Sequence, residues 1–187
     1  MIETKRMILE PIRNEDFECH YCVMFQEDPV MHDFFAAMPE ETKKKCWESL
    51  TVSCETYSLF QKEDHQFLGE VDIHEIEDGE LELGITLLKV YQNQGYGPEA
   101  VKGLTDWLYQ ERQQKQVVMH IEPENSHSQH MFEKMGAVND GLYLRLPEGL
   151  VKAAKEQLSE QEVQKIRAVS AVRKLVLDLP VKEKMTR

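Results

Sequence analysis

The chain has 187 residues, 41% of them hydrophobic, which suits one domain with a substantial core. Its formal net charge of −12 argues against general nucleic-acid binding. No run reaches the ~18 apolar residues that span a bilayer, and Met1–Arg6 lacks an apolar leader, so a soluble, cytoplasmic protein is expected. The charge is uneven. Residues 145–187 carry 10 Lys/Arg against 6 Asp/Glu, leaving 12 against 28 in residues 1–144. The acidic body would attract a cationic acceptor such as an amine, although solubility alone accounts for such a charge.

Residues 5–11 alternate and read as a first strand. Asn14 is a helix-cap residue, and Phe17, Tyr21 and Phe25 follow at helical spacing until Asp28-Pro29 breaks the pattern. Cys19 and Cys22 have C-x-x-C spacing within that helix. Cys46 and Cys54 form no second pair, so reduced thiols are expected rather than zinc. Residues 30–36 read as a short helical piece and 39–54 as a helix with a solvated Lys43-Lys44-Lys45 run. Two strands, 56–62 and 66–76, flank the polar turn Glu63-Asp64-His65, and a third, 80–89, follows the turn Glu77-Asp78-Gly79.

A helix is expected over 98–111, with Ala100, Val101, Leu104, Trp107 and Leu108 on one stripe. Then come a strand at 117–121, a helix from about Ser126 to Met135 stopped by Gly136, and a strand over 141–146. Residues 148–158 read as helical, and Ser159–Glu162 is a capping box for another helix. Residues 174–179 read either as a last strand pairing with 141–146 or as the end of one long helix. The division expected is a domain over 1–146 and a helical extension over 147–187.

Between the strand at 80–89 and the helix at 98–111 lies Gln92-Asn93-Gln94-Gly95-Tyr96-Gly97, a Q-x-x-G-x-G loop. Its glycines let a ligand approach the backbone, and the following helix presents unpaired N–H groups and the positive end of its dipole. Together these bind phosphate oxygens. The dinucleotide loop G-x-G-x-x-G would need a third glycine where Ala100 stands, and the G-K-[ST] of the nucleoside-triphosphate loop is missing. A second motif lies downstream: the apolar run Val117–Ile121, then Asn125-x-x-Ser128 and the helix-ending Glu133-Lys134-Met135-Gly136.

These two motifs resemble the GCN5-related N-acetyltransferase (GNAT) family. The start, Thr4–Pro11 followed by Asp28-Pro29-Val30-Met31, resembles its ribosomal-protein N-terminal acetyltransferase branch. The likeness covers roughly residues 3–144. It implies an α/β (mixed α+β) acyl-CoA N-acyltransferase fold: a central mixed, mostly antiparallel sheet with a splayed parallel strand pair and flanking helices. It also implies acetyl-CoA as cosubstrate and an amine acceptor, with no metal. The family closes its sheet directly after the position of Gly136, whereas ~25 residues intervene here.

The resemblance also assigns roles. A backbone N–H around Leu87 and Leu88 would stabilise the oxyanion. Gln92 and the amides of Gln94, Gly95, Tyr96 and Gly97 would hold the pyrophosphate. Asn125 and Ser128 would contact the pantetheine arm, although both also suit helix caps. Many relatives carry a tyrosine at the position of Phe132 as proton donor to the thiolate; here Ser128 or water would substitute. Glu82 matches a strand glutamate that serves some relatives as base. Alternation places Glu80 with Glu82, and Glu70 with Asp72 and His74, on common faces. Glu82 and Glu70 are read toward the cleft, Asp72 and His74 toward a solvent edge, and His120 as a packed histidine. The expected activity is N-acetylation of a protein N-terminus or small-molecule amine within a ternary complex, since no cysteine adjoins either motif. The alternative is a non-catalytic acyl-CoA sensor or partner-binding module. A monomer or homodimer is expected.

Overall fold

The structure, a computed structural model, describes residues 1–25, 33, 36–53, 55–76, 79–144 and 171–181. Most of the helical piece expected at 30–36, and both helices expected between 148 and 170, lie outside these residues. Eight strands form one sheet: β1 (Ile2–Glu3), β2 (Met7–Pro11), β3 (Glu55–Gln61), β4 (Phe67–Glu75), β5 (Leu81–Leu87), β6 (Gln116–Ile121), β7 (Val138–Leu144) and β8 (Ala171–Asp178). Their order is β1-β2-β3-β4-β5-β6-β8-β7. Every neighbouring pair is antiparallel except β5–β6, which is parallel and pairs only at Glu82–Val118. Among the described residues four helices accompany the sheet: α1 (Phe17–Phe25), α2 (Glu40–Ser53), α3 (Tyr96–Arg112) and α4 (Ser126–Met135). None of the described helices is long and apolar enough to cross a membrane.

The two sheet faces differ in chemistry. One carries Leu59, Val71, Ile73 and Leu83 and joins the main core with α3. The expected stripe of α3 is there: Ala100, Val101, Leu104 and Leu108 are fully buried, and Trp107 packs partly against the core. Each leucine so placed contributes roughly 1.5–3 kcal/mol. Phe132 of α4 is buried in the same core, and Gly136 ends α4 at φ 108°. The other face carries Ser58, Glu70, Asp72, His74 and Glu82, and α1 lies against it. There His20 and Val23 are buried, with the His20 ring walled by Trp47 of α2 and Phe67.

One local expectation is corrected. Asn14 does not cap α1; it opens a single 3-10 turn, Asn14–Asp16, whose cap is Arg13, and the Asp16 carboxylate accepts the Arg13 N–H at 2.9 Å. Of the two readings of 174–179 the strand holds: residues 171–178 form β8, which pairs with β7 as expected and enters between β6 and β7. Its alternating Leu175 and Leu177 are buried in the main core, and Val172, of the opposite parity, is buried as well.

Candidate active site

The glycine loop sits where β5 hands over to α3. A 3-10 turn, Lys89–Tyr91, leaves β5, Asn93 turns the chain at φ 60°, and Gly95 follows at φ 80° as the residue that opens α3. A side chain other than glycine is strained in that left-handed conformation. Pro98 occupies the first turn, where a missing N–H costs nothing. The amides of Tyr96 and Gly97 lie in the same first turn, among the four that lack intrahelical partners.

The loop is clasped from β2's approach. Arg6 Nη1 donates to the Gln94 carbonyl at 3.0 Å, its Nε pairs with Glu99 Oε2 at 2.7 Å, and its guanidinium lies 4.2 Å from the Tyr96 ring centre. Glu99 also accepts from the Thr4 hydroxyl and the Arg6 backbone N–H, each at 2.7 Å. Burial pushes the Glu99 carboxyl up, but those hydrogen bonds and the guanidinium charge together hold it below the usual glutamate value. Gln92 is turned inward: its Nε2 donates to the Leu87 carbonyl at 3.1 Å. It fixes the end of β5 and brings that carbonyl's strand residue into register with the loop.

The amides of β5 sort by parity. Ile76 N–H donates to Glu80 O and Leu88 N–H to Leu68 O, each at about 2.9 Å, so the even-numbered residues of β5 bond to β4. The odd-numbered residues Ile85 and Leu87 therefore turn their N–H groups toward the β6 side of β5. Leu88 is thus corrected: its amide is spent on β4. The register of β5 with β4 is unbroken; among the described residues the shifts lie at Leu59/Phe60 and Asn139/Gly141. Gly69 keeps β4 close to β5, since a Cβ there would stand 2.2 Å from the Thr86 oxygen. Only the register reveals Ile85 as a second candidate donor.

Asn125 is exposed and caps α4, its Oδ1 accepting the Ser128 N–H at 3.1 Å. Ser128 is half-buried on the first turn. α3 and α4 touch close to the loop, where a Cβ on Gly97 would stand 3.0 Å from Met131 Sδ. Phe132 is turned into the core, and His127 and His130 are exposed as expected.

The polar face holds two linked clusters. In one, Glu82 Oε2 lies 3.1 Å from His120 Nδ1 and 3.4 Å from His74 Nε2, and His74 Nδ1 lies 3.4 Å from Asp72 Oδ2. His120 stacks on Tyr143 with ring centres 4.2 Å apart. So Asp72 and His74 do not line a solvent edge: β4 is an interior strand, and both side chains are half-buried beside Glu82. Asp72 sits over Gly84, where a Cβ would come within 2.5 Å of its Oδ1. In the other cluster Glu70 pairs with His20, reaching Ser58 and Asp16 behind it. Among the described residues no group of His, Cys, Asp and Glu is arranged to hold a metal ion.

Burial, then the Glu70 charge, push the Asp72 carboxyl above its ordinary value despite His74. An acid whose folded value is raised gives up stability as pH rises from its unfolded value through its folded one. At neutral pH this carboxylate therefore costs stability. Asp72→Asn is expected to raise the melting midpoint at pH 7 by about 2–4 °C, with the gain vanishing in acid. A lower midpoint at pH 7 in thermal scans would contradict this.

The comparisons with known proteins agree with this geometry. The family model described as "Acetyltransferase (GNAT) domain" matches residues 6–138. The chain belongs to the GNAT acetyltransferase family. The chain is similar to the uncharacterized N-acetyltransferase YjdG of Bacillus subtilis (strain 168), with 26% identity over 112 residues, 57% of this chain and 64% of that protein's length. A GNAT-family acetyltransferase structure from Bacillus anthracis superposes with a TM-score of 0.67 at 14% identity, covering 95% of this chain and 97% of that one. A candidate ribosomal-protein-serine acetyltransferase from Vibrio cholerae gives 0.66 at 18% identity, covering 95% and 96%. A mutant of the spermidine N-acetyltransferase SpeG, also from Vibrio cholerae, gives 0.65 at 14% identity, covering 92% and 94%. At these identities the structures speak for the fold, with its one parallel pair in a mostly antiparallel sheet. The chain spans 64% of the length of the curated relative it matches, and acetyl-CoA is the cosubstrate that the GNAT family uses.

Proposed function

We propose that this acetyltransferase acetylates a primary amine, on a protein N-terminus or a small cationic molecule, by direct attack within a ternary complex with acetyl-CoA. The observation that carries this is the placement of three carboxylates, Glu70, Asp72 and Glu82, on one sheet face beside the point where β5 and β6 part. Such a face attracts an ammonium group and can take its proton. The pyrophosphate would lie on the amides of Gln94, Gly95, Tyr96 and Gly97, with Gln92 acting indirectly through Leu87. The pantetheine arm would run between β5 and β6 toward Asn125 and Ser128.

In the reaction Glu82, or Glu70, takes a proton from the ammonium. The freed amine attacks the thioester carbon, a C–N bond forms, and the oxygen's charge is met by the amide of Leu87 or Ile85. The C–S bond then breaks as the attacking nitrogen gives up its second N–H proton, and water or the Ser128 hydroxyl relays that proton to the departing thiolate. Direct transfer is supported by the sequence, in which no cysteine adjoins the glycine loop or the Asn125–Gly136 motif. The cytoplasm, and a monomer or homodimer, remain the expected setting.

Glu82→Gln tests the base. It is expected to lower kcat by about 10²–10³-fold, most at the acid end, where little amine is neutral without help. A wild-type pH–rate profile would remove Glu82 from that role.

A further inference from the structure

The second cluster contains a histidine that the reaction scheme above does not use. His20 is 1% exposed on α1, and both ring nitrogens are engaged. Nε2 lies 2.8 Å from Ser58 Oγ, and Ser58 Oγ lies 3.0 Å from Asp16 Oδ2. Nδ1 meets Glu70 Oε2. The turn before α1 and α1 itself, adjacent in sequence, and the distant β3 thus converge behind one carboxylate of β4.

The protons in this chain can be counted. Asp16 Oδ2 already accepts the Arg13 N–H at 2.9 Å and faces Arg13 Nε at 3.9 Å, so it is the ionised end. A serine hydroxyl has one hydrogen. Ser58 gives that hydrogen to Asp16, so its oxygen accepts from His20, and Nε2 carries a hydrogen. That leaves Nδ1 facing a carboxylate oxygen, and two bare acceptors cannot bond. One proton must lie between them, as an imidazolium beside a carboxylate or a neutral imidazole beside a carboxylic acid.

From this we infer that His20 is a positioning residue for Glu70: the Asp16–Ser58 pair fixes its tautomer, and it shares one proton with the Glu70 carboxylate while leaving Oε1 for the acceptor amine. The inference rests on the amine-acetylation reading. When an ammonium N–H bond breaks and an Oε1–H bond forms, the shared proton stays on Nδ1, so the positive charge lost by the amine is held on the buried imidazolium. The charge is answered by Asp16 on the turn, which Arg13 also faces. On the sheet side Asp72 lies next to Glu70 on β4, with His74 beside it and Glu82 on β5. Trp47 and Phe67 exclude water from the ring.

The test uses the full chain in two arms. Long-range proton–nitrogen NMR of the histidine rings is expected to show Nε2 of His20 protonated and a strongly deshielded proton at Nδ1 that disappears in Glu70→Gln. Kinetically, His20→Asn keeps an N–H toward Glu70 but takes up no proton. It is expected to lower kcat about 100-fold, to leave KM for acetyl-CoA within about twofold, and to shift the acid limb of the pH–rate profile. Ser58→Ala, which frees the tautomer, is expected to lower kcat about tenfold. A bare Nε2 with the hydrogen on Nδ1 alone, or wild-type kcat and pH profile in folded His20→Asn, overturns the inference. Should the wild type acetylate no amine at all, the functional reading falls and the NMR arm alone decides the proton count.

Discussion

Gly95→Trp is expected to weaken coenzyme A binding by at least about 100-fold while lowering the melting midpoint by only a few degrees. The two effects separate because they have different sources. Gly95 is exposed and sits at φ 80°, so a side chain there costs about 1–2 kcal/mol of backbone strain. That is about 2–8 °C at this chain length. Its Cβ would stand 3.4 Å from Arg6 Nη2, a contact that the flexible arginine can relieve. The binding loss is larger. An indole over the loop blocks phosphate from the amides of Gly95, Tyr96 and Gly97, and each charge-assisted bond is worth roughly 1.5–3 kcal/mol. Losing two already exceeds the ~2.7 kcal/mol that a 100-fold change requires. Calorimetry with coenzyme A measures the first effect and a thermal scan the second. Unchanged affinity in a folded variant would refute the assignment of the loop.

The second large effect is structural. In Gly69→Ala the added Cβ would meet the Thr86 oxygen at 2.2 Å and the Leu87 Cα at 2.8 Å, and both are backbone atoms of β5. Neither can move without opening the β4–β5 ladder, in contrast to Gly97, whose close neighbour is the end of a methionine. Overpacking and the φ of 154° together should cost about 3 kcal/mol, lowering the midpoint by roughly 6–12 °C. The displaced segment is the end of β5, which carries the Leu87 amide and leads into the glycine loop, so coenzyme A affinity should fall with stability. A midpoint within about 2 °C of wild type would show that the two strands separate without penalty.

What the chain reveals by itself follows the range of the interactions involved. The glycine loop, the stripe of α3 and the Asn125 cap are written in residues a few positions apart, and each is found where it is expected. The site's polar face is not local. His20 reads as one more residue of an amphipathic helix, and nothing near it announces partners 38 and 50 residues away at Ser58 and Glu70. Asp72 and His74 alternate like an exposed edge, because alternation gives a face but not what covers it. The amide of Leu88 is turned to β4 by a register that only the pairing of Gly69 with Leu87 discloses. Gln92 has the spacing of a ligand contact but spends its amide on Leu87, a choice fixed by the loop's geometry. The last strand is ambiguous for a related reason: valines and leucines at 172–177 suit a helix or a strand until neighbours on both sides, β6 and β7, decide.

The central claim is that an amine on the acidic face attacks acetyl-CoA held by the loop at 92–97. It is tested most directly by following free-thiol release from acetyl-CoA in the presence of N-terminal peptides and small cationic amines, with mass spectrometry of the acceptor. The account predicts amine-dependent thiol release matched mole for mole by acetylated product. Tight acetyl-CoA binding with no amine-dependent release from any acceptor would contradict it and leave the protein as an acyl-CoA sensor.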